Sequence, residues 1–234
     1  HGLVMNRRHM AMGAAMGGAS LLFAQGAMAA QPTAGAQGFI DAKQSGAKGD
    51  GKTNDTAALQ RALDAAGACS GAVFLPPGIY VTGELHVRAD TAIIGLPGWN
   101  YSYPGGSVLQ RRDANATCLL NLTEARGATI QGLALDGRSR GKGIHGIATS
   151  RTKWGPHEDG FRIEGCQVAR FSGDGVHLEC AWCFSVRHSM MAYNAGDGLS
   201  LRGWDGFLID NWFSGNKGAG YAALAYAKLT GQTA

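Results

Sequence analysis

A short pattern that returns at every 23rd position near the C-terminal end constrains the fold of this chain more than any other feature. One marker of the repeat, a phenylalanine followed two residues later by Ile or Val, occurs at residues 161–164, 184–187 and 207–210. A glycine-rich marker keeps step with it at residues 173–178, 196–201 and 218–221, with a weaker copy at 141–145. The last glycine marker arrives one residue early. A period of this length is typical of similar units stacked on one another.

Each repeat has the residue pattern of short strands. Apolar residues alternate with polar ones, as at Phe161 and Ile163 and again at Val176 and Leu178, and this alternation is the period of a β-strand. Glycines between these runs provide corners where the backbone needs positive φ. Three short strands and three corners in about 23 residues predict one coil of a parallel β-helix, an all-β solenoid. A β-sandwich with evenly spaced turns is the alternative, which the near-constant period disfavours.

The period also predicts which surface residues lie above one another. Residues at equivalent positions of successive repeats should stack, so Glu164, Arg187 and Asp210 are expected to form a column of alternating charge. Glu179 is expected to lie beside Arg202 in the same way. We interpret both as solvated ladders that stabilise the stack by a few tenths of a kcal/mol per pair.

The N-terminal residues resemble an export signal. Paired arginines at Arg7 and Arg8 precede a weakly apolar stretch and an Ala-x-Ala site that ends at Ala29. This order predicts a twin-arginine signal peptide over residues 1–29, with residues 1–4 as an upstream extension. The prediction places the mature protein in the periplasm or outside the cell. The apolar stretch is too short and too rich in Gly and Ala for a membrane anchor.

The rest of the chain is long enough for one elongated domain. We expect an N-terminal cap at residues 30–71, with a helix at about 55–66, and roughly seven coils over residues 72–234. The chain stops at Ala234 without an obvious polar cap, so we expect it to continue or to be completed by a partner, which leaves a homo-oligomer open. The formal charge of +4 permits an anionic ligand, but the absence of a lysine run argues against nucleic acid.

Two short motifs point to chemistry that the rest of the sequence does not support. Residues 46–53 match the P-loop pattern G-x-x-x-x-G-K-[ST], and a helix with Asp55 as its N-cap is predicted to follow. No alternating β/α pattern follows, however, so nucleotide binding is disfavoured. Cys180 and Cys183 form a lone CxxC, which without a second pair is weak support for a zinc or redox site. Buried apolar positions, as at Cys166, explain the cysteines better.

The segment from Phe39 to Thr56 resembles the opening of the pectate lyase superfamily domain, which includes rhamnogalacturonase-like and epimerase-like proteins. Residues 58–63, 73–80 and 93–95 continue the resemblance. It implies a right-handed parallel β-helix whose N-terminal end is covered by the predicted helix. The right-handed sense agrees with the general rule for parallel crossovers. The resemblance does not define a reaction, because the fold hosts lyases, hydrolases, epimerases and phage tailspikes.

Aligned glycine corners predict a cluster of polar residues on one coil face. The alignment puts Lys142, Asp174 and Asp197 in one column, and His145, His177 and Ser200 in another. The offset from residue 141 to 173 exceeds the repeat by nine residues, which predicts a loop at about 149–159. The predicted catalytic residues are Asp174, His177 and Asp197, and the predicted substrate-binding residues are Lys142, His145, Trp154, His157 and Arg202.

These residue types suit chemistry on a sugar chain. Two carboxylates one coil step apart should repel, so one of Asp174 and Asp197 is expected to have a raised pKa. Such a pair could serve as acid and base on a glycosidic bond or hold Ca²⁺ against a uronate, although no metal-ligand set is recognised. Arg or Lys would neutralise a uronate carboxylate in a lyase. Trp154 would provide a platform for a sugar ring.

The alternatives remain open at this point. Aspartates between glycines are ordinary turn formers. The paired-aspartate and Arg-Ile-Lys motifs of polygalacturonases are missing, since the chain has Arg162-Ile163-Glu164. Residues 155–158 resemble the Asp-Pro-His motif of alginate epimerases but carry Gly155 in place of the catalytic aspartate, with Asp159 nearby. We therefore expect an exported protein that acts on an acidic polysaccharide by β-elimination or hydrolysis; the alternative is a non-catalytic binding or tailspike-like β-helix.

Overall fold

A computed structural model describes residues 38–98, 104–113 and 115–224. Strands dominate these residues, and nearly all of them pair in parallel within three long sheets. Each coil adds one strand to each sheet, so the chain forms the predicted right-handed parallel β-helix with one short helix near its N-terminal end. The predicted fold class is confirmed.

The three sheets run side by side along the stack. Sheet A contains β1 (Phe39–Asp41), β3 (Ala72–Leu75), β6 (Ala92–Gly95), β10 (Thr129–Gln131), β13 (Arg162–Glu164), β16 (Ser185–Arg187) and β19 (Phe207–Ile209). Sheet B contains β2 (Asp50–Asn54), β4 (Gly78–Thr82), β8 (Gly105–Arg111), β11 (Ala134–Asp136), β14 (Gln167–Ala169), β17 (Met190–Ala192) and β20 (Trp212–Ser214), and a two-residue strand, β7 (Pro97–Gly98), pairs antiparallel with β8. Sheet C contains β5 (Leu85–His86), β9 (Cys118–Asn121), β12 (His145–Thr149), β15 (Val176–Trp182), β18 (Leu199–Trp204) and β21 (Tyr221–Ala223).

The helix α1 spans Thr56–Gly67, one residue later than predicted at each end. Its apolar face, predicted from the helical spacing of Leu59, Ala62, Leu63 and Ala66, is buried. Leu59 and Leu63 face an enclosed apolar space lined by core residues of the first coils, which are Val73, Leu75, Leu85, Ile93 and Leu109. The helix therefore covers the apolar interior at this end of the stack.

The segment that matches the P-loop pattern is occupied by the protein itself. The backbone amides of Lys48 and Gly49 donate to the carboxylate of Asp55 at 2.7 and 3.0 Å. Asp55 is buried, and although it holds the N-cap position its side chain makes no capping hydrogen bond to α1. Two amides that would face a phosphate in a P-loop are thus already paired with a buried carboxylate.

The predicted register of the repeat holds through the middle coils. Ile163 pairs with Val186 in sheet A, and the rings of Phe161 and Phe184 stack in the core with centroids 5.8 Å apart. Glu179 lies beside Arg202 in sheet C, as predicted, with Nη1 of Arg202 2.9 Å from Oε2 of Glu179. Cys166 is a fully buried core residue, as its apolar position predicts.

The predicted register is wrong at the last described coil. Phe207 pairs with Ser185 and not with Phe184, so this step is one residue shorter than the repeat, and the side chain of Phe207 is 66% exposed. Gly206 takes the position beside the Phe184 ring. Ile209, and not Asp210, is therefore the residue paired with Arg187, so Asp210 is not part of the predicted charge column. The carboxylate of Asp210 lies 3.4 Å from Nε2 of His188. The early arrival of the last glycine marker was the signal for this slip.

The surplus residues assigned to one loop belong to two loops. Leu135 pairs with Val168 in sheet B, and Ile147 pairs with Val176 in sheet C. In both pairs the number of residues from one coil to the next exceeds the repeat of 23, and the excess is larger in sheet B than in sheet C. The regular step returns at Ile163, which pairs with Val186. The insertion is therefore divided between residues 137–144 and residues 150–161. Aligning the glycines alone could not reveal this division, so the two predicted columns are out of register where they cross the insertion.

The predicted signal peptide at residues 1–29 lies outside the described residues. Among the described residues, none of the helices has the length and apolar character needed to cross a membrane.

Candidate active site

A groove of about 460 Å³ crosses the outer face of sheet C. Its walls come from four successive coils, because Thr117 precedes β9, His145 begins β12, His177 lies in β15 and Arg202 lies in β18. Residues 150–152 of the second inserted loop close one side. Because alternate residues of a strand face outward, the side chains of successive coils converge there.

Asp174 and His177 form a hydrogen-bonded pair beside the groove. Nδ1 of His177 lies 2.7 Å from Oδ2 of Asp174. The other carboxylate oxygen of Asp174 accepts the backbone amide of Asp197 from the next coil, also at 2.7 Å. The carboxylate is thus held by the backbone ladder, and it fixes the orientation of the imidazole with Nε2 pointing away from Asp174.

A second imidazole stacks on His177. The ring of His145 lies 4.1 Å from that of His177, at an interplanar angle of 20°. Nδ1 of His145 accepts the backbone amide of Asp174 at 2.9 Å, so this nitrogen carries no proton. Burial, reinforced by the neighbouring His177 and opposed by Asp174, lowers the pKa of His145 to about 4. His145 is therefore neutral at physiological pH.

The far side of His177 faces a charged pair. Nε2 of His177 lies 3.4 Å from Oε1 of Glu179, whose other oxygen binds Arg202. The hydroxyl of Thr149 accepts the amide of Glu179 and donates to its carbonyl oxygen, at 2.8 and 2.9 Å, which holds the Glu179 backbone in place. Asp174, His177, Glu179 and Arg202 thus form a continuous chain of polar contacts along the groove.

The expectation of a carboxylate with a raised pKa is wrong for Asp174. Burial opposes ionisation, but the hydrogen bond from His177 and the amide of Asp197 outweigh it and hold the pKa of Asp174 below its usual range. Asp197 does not join the pair, since one of its oxygens accepts the backbone amide of Ala219 at 2.7 Å. Both aspartates therefore act as acceptors at glycine corners, but for amides of the next coil and not for the nearby amides that a turn former binds.

The other predicted site residues are divided between the groove and its surroundings. His145 and Arg202 line the groove with His177. Lys142 is exposed on the first inserted loop, and His145 reaches His177 by ring stacking although Ala148 is the residue in register with His177. Trp154 stacks on Trp204 of β18, with ring centroids 4.5 Å apart and nearly parallel planes.

His157 lies in a separate depression of about 380 Å³, together with Pro156 and Glu158. Arg151 separates this depression from the groove, because its side chain lines both. The guanidinium of Arg151 is paired with the buried carboxylate of Asp159 and with the carbonyl oxygen of Thr123. The residues that resemble the Asp-Pro-His motif therefore do not meet Asp174 and His177 in one groove.

His145, Asp174 and His177 place one potential ligand atom each within 4.8 Å of the others. Two nitrogen donors and one oxygen do not suit calcium, which prefers six to eight oxygen ligands. The Nδ1 atoms of both histidines already have hydrogen-bond partners. The arrangement is satisfied by protons and fits proton transfer better than calcium binding.

The sequence interpretation missed the part that Glu179 plays in the site. It treated Glu179 only as half of a solvated ladder with Arg202, although strand alternation puts Glu179 on the same face as His177, two residues away. It placed Thr149 and Arg151 in the predicted loop but did not predict that they hold Glu179 and the base of that loop. Their contacts depend on how the inserted residues are divided between the two loops, so no local sequence motif predicts these contacts.

Comparison with known proteins agrees with the fold. Residues 39–112 match the family described as rhamnogalacturonase A/epimerase, pectate lyase-like. The described part of the chain has a pectate lyase-like parallel β-helix fold. A non-secreted LysM effector of Penicillium expansum, LysM15, is 40% identical over 75 residues, which are 32% of this chain and 5% of that protein.

Two solved structures extend the likeness over most of the chain. The A-module of the mannuronan C-5 epimerase AlgE4 of Azotobacter vinelandii is 26% identical, with a TM-score of 0.65, over 78% of this chain and 52% of that one. An exopolygalacturonase of Thermotoga maritima is 11% identical, with a TM-score of 0.54, over 77% of this chain and 54% of that one. The chain thus spans about half the length of these two structures and a small part of the curated relative.

Proposed function

We propose that this protein binds an acidic polysaccharide in the groove and removes the proton at C5 of a uronate residue. The observation that carries the proposal is the setting of His177, whose ring is held at Nδ1 by Asp174 while Nε2 faces the groove beside Glu179 and Arg202. A histidine oriented by a carboxylate is a common general base.

The proposed step needs only groups that line the groove. Nε2 of His177 takes the C5 proton, and the electrons of the C–H bond move into the adjacent carboxylate of the uronate as an enolate. Arg202, which lies beside Glu179, supplies positive charge to stabilise that enolate. The intermediate then follows one of two routes. In β-elimination it expels the oxygen at C4, which takes a proton from water as it leaves; in epimerisation C5 takes a proton from water on the opposite face.

Hydrolysis fits the groove less well. A glycosidase needs a carboxylic acid that stays protonated to assist the leaving group. The pKa of Asp174 is lowered, and both of its oxygens have hydrogen-bond donors. Asp174 is thus suited to orient His177 and not to donate a proton to a glycosidic oxygen.

The structural likeness to a mannuronan C-5 epimerase module supports a uronate polymer as the substrate. The likeness covers about half of that module, so the choice of polymer and of the second step belongs to the proposal. We also propose that the protein acts after export, on the basis of the arginine pair and the Ala-x-Ala site near its N-terminus. Cell fractionation would contradict export if the intact N-terminus stayed in the cytoplasm.

The test is hydrogen exchange at C5. The protein is incubated in D₂O with polymannuronate and, separately, with polygalacturonate. Deuterium at C5, read by NMR, reports proton removal followed by the return of a proton, whereas ultraviolet absorbance of an unsaturated uronate reports proton removal followed by elimination. New reducing ends without either signal would replace the proposal with hydrolysis.

Three histidine variants assign the base. His177→Ala is expected to lower the rate of exchange by about 10³-fold. His188→Ala is the matched control, because this side chain is 54% exposed at a corner of the stack outside the groove. If His157→Ala stops exchange and His177→Ala does not, the reaction belongs to the depression beyond Arg151.

A non-catalytic binding module is the second candidate. The observation that favours it is the use of Asp174 and Asp197 as acceptors for backbone amides of the next coil, a purely structural task. Such a module would bind the polymers but give no exchange, no absorbance and no reducing ends.

A further inference from the structure

Three tryptophans gather at one corner of the stack, beside the groove. Trp182 of β15 is in register with Trp204 of β18, just as Glu179 is in register with Arg202. Trp154 reaches the same corner from the second inserted loop and lies flat on Trp204, with an interplanar angle of 3°. The aromatic corner, by which we mean Trp154, Trp182 and Trp204, therefore draws on three coils.

The corner continues the face that carries the groove. Arg202 and Trp204 are two residues apart on one strand, so they point to the same side, and about 7 Å of strand separates them. A β-bulge between Glu179 and Ala181 keeps Trp182 in register with Trp204 despite the extra residue in β15. The aromatic surface thus begins where the charged part of the groove ends.

The position of Trp154 is built into the protein. The loop that carries Trp154 is closed at its base by the buried carboxylate of Asp159. One oxygen of Asp159 accepts the amide of Trp182 at 2.9 Å, and the other is paired with Arg151. The loop is thereby fixed to the coil beneath the corner, and a stacked indole pair is held in place before any ligand arrives.

The corner keeps a large aromatic side chain in contact with water. Trp204 is 45% exposed, although its neighbour Trp154 already covers part of it. Exposed apolar surface next to a polar groove marks a place where a ligand binds. The ligand chemistry that fits is the C–H face of a pyranose ring, which packs flat on an indole while its hydroxyl groups stay in water.

We propose that Trp204, held by Trp154, is a sugar-binding subsite for the residue of the polysaccharide next to the one at Arg202. The inference rests on the proposed function in that it places the glycan in the groove. It adds a recognition element that uses the face of a sugar and not its charge. It follows that oligosaccharides long enough to reach from Arg202 to Trp204 bind more tightly than shorter ones.

The experiment measures binding in a background without turnover. Mannuronate and galacturonate oligosaccharides of increasing length are titrated calorimetrically into the His177→Ala protein and into the same protein with Trp204→Ala. We expect Trp204→Ala to weaken the binding of the longer oligosaccharides about fivefold to tenfold and to leave the shortest ones unchanged. Trp204→Phe, which keeps an aromatic face, should restore most of the affinity.

Trp212→Ala is the matched control. This indole is 51% exposed, comparable with Trp204, but it lies on β20 of sheet B. Equal loss of affinity in both variants, or no loss in Trp204→Ala, would overturn the subsite. If Trp204→Ala changes the oligomeric state and not oligosaccharide binding, the corner is an interface between copies of the chain, and the subsite is likewise rejected.

The subsite and the catalytic proposal fail in different ways. Length-dependent binding that needs Trp204, with neither C5 exchange nor unsaturated product from the unmodified protein, would reject the catalysis and keep the subsite. Exchange without any effect of Trp204→Ala would reject the subsite and keep the catalysis.

Discussion

Two successive corners of the stack have almost the same sequence and different surroundings. Gly173-Asp174-Gly175 and Gly196-Asp197-Gly198 occupy equivalent positions, and each aspartate accepts a backbone amide from the coil that follows. Three residues after Asp174 stands His177, whereas three residues after Asp197 stands Ser200. The backbone ladder is thus common to both corners, and the imidazole belongs to only one.

The repeat supplies the same backbone frame at both corners, and the difference between His177 and Ser200 decides whether the aspartate holds an imidazole. Asp174 uses one oxygen for the ladder and keeps the other for His177. His145 adds a stacked ring at this corner because the first inserted loop ends just before it. Asp197, the equivalent aspartate without these neighbours, accepts an amide of the next coil.

The largest effect is expected from removing the imidazole. His177→Ala should lower the rate of C5 exchange by about 10³-fold, in the range typical of a lost general base, whereas Ser200→Ala at the equivalent position should leave it within about twofold of the unmodified protein. Exchange rates in D₂O on one uronate polymer compare the two directly. Equal rates for both variants would remove the functional difference between the corners.

The next effect is a pH dependence of stability that only the first corner should show. The folded-state pKa of His145 is about 4, below its ordinary value of 6.5, so the unfolded chain binds more protons between these values. The stabilisation is complete above pH 6.5 and is lost as the pH falls towards 4, by on the order of 3 kcal/mol. The lowered pKa of Asp174 acts below 3.8, outside this window.

His145→Asn separates this contribution from others. Asparagine can still accept the amide of Asp174, but it does not titrate. Urea unfolding at pH 7 and pH 4.5 should give a smaller drop in the free energy of unfolding for the variant than for the unmodified protein. An identical drop in both would show that His145 does not carry the pH dependence.

A smaller effect is expected when each aspartate is made neutral. Asp174→Asn and Asp197→Asn should each cost about 1–2 kcal/mol of unfolding free energy, since each weakens an amide contact to a carboxylate. Only Asp174→Asn should also slow exchange, because it changes the partner of His177. Thermal unfolding and exchange rates measured on both variants test this split; a comparable loss of exchange in Asp197→Asn would contradict it.

The smallest effect concerns the pair that joins the two coils. Glu179 and Arg202 are partly exposed, so their coupling in a double-mutant cycle with Glu179→Gln and Arg202→Gln should be about 0.5–1 kcal/mol. The same variants should slow exchange more than this stability change explains, because Arg202 is proposed to stabilise the enolate. If the exchange rate of each variant fell only as far as its loss of stability explains, the Glu179–Arg202 pair would have a structural role alone.

Much of the frame could be predicted because it depends on local pattern. Alternating apolar residues and glycine corners specified strands and coils, and the spacing of Leu59, Ala62 and Leu63 specified the face of α1 that is buried. The pairing of Glu179 with Arg202 followed from the same period. These features can be predicted without knowledge of distant contacts. Each coil contacts only the coils next to it, so a constant period places equivalent residues beside one another.

The site could be predicted only in part. Asp174 and His177 were correctly placed together, because their close spacing at the start of one strand brings them within reach. The expectation that one of Asp174 and Asp197 has a raised pKa is wrong for Asp174. The sequence did not indicate that the imidazole of His177 and the amide of Asp197 would both donate to its carboxylate. The contacts of Glu179 with Thr149 and of Arg151 with Asp159 also escaped the sequence pattern.

By itself, then, the sequence determined the period, the strand direction and the core, because each depends on residues at a constant spacing. Only the tertiary structure decided how the insertion divides between residues 137–144 and 150–161, where the register slips at Phe207, and which side chains meet in the groove. The physical reason is that a one-residue change of register moves a side chain to the other face of a sheet. The register is set by backbone pairing along the whole coil, so it cannot be predicted from any single motif.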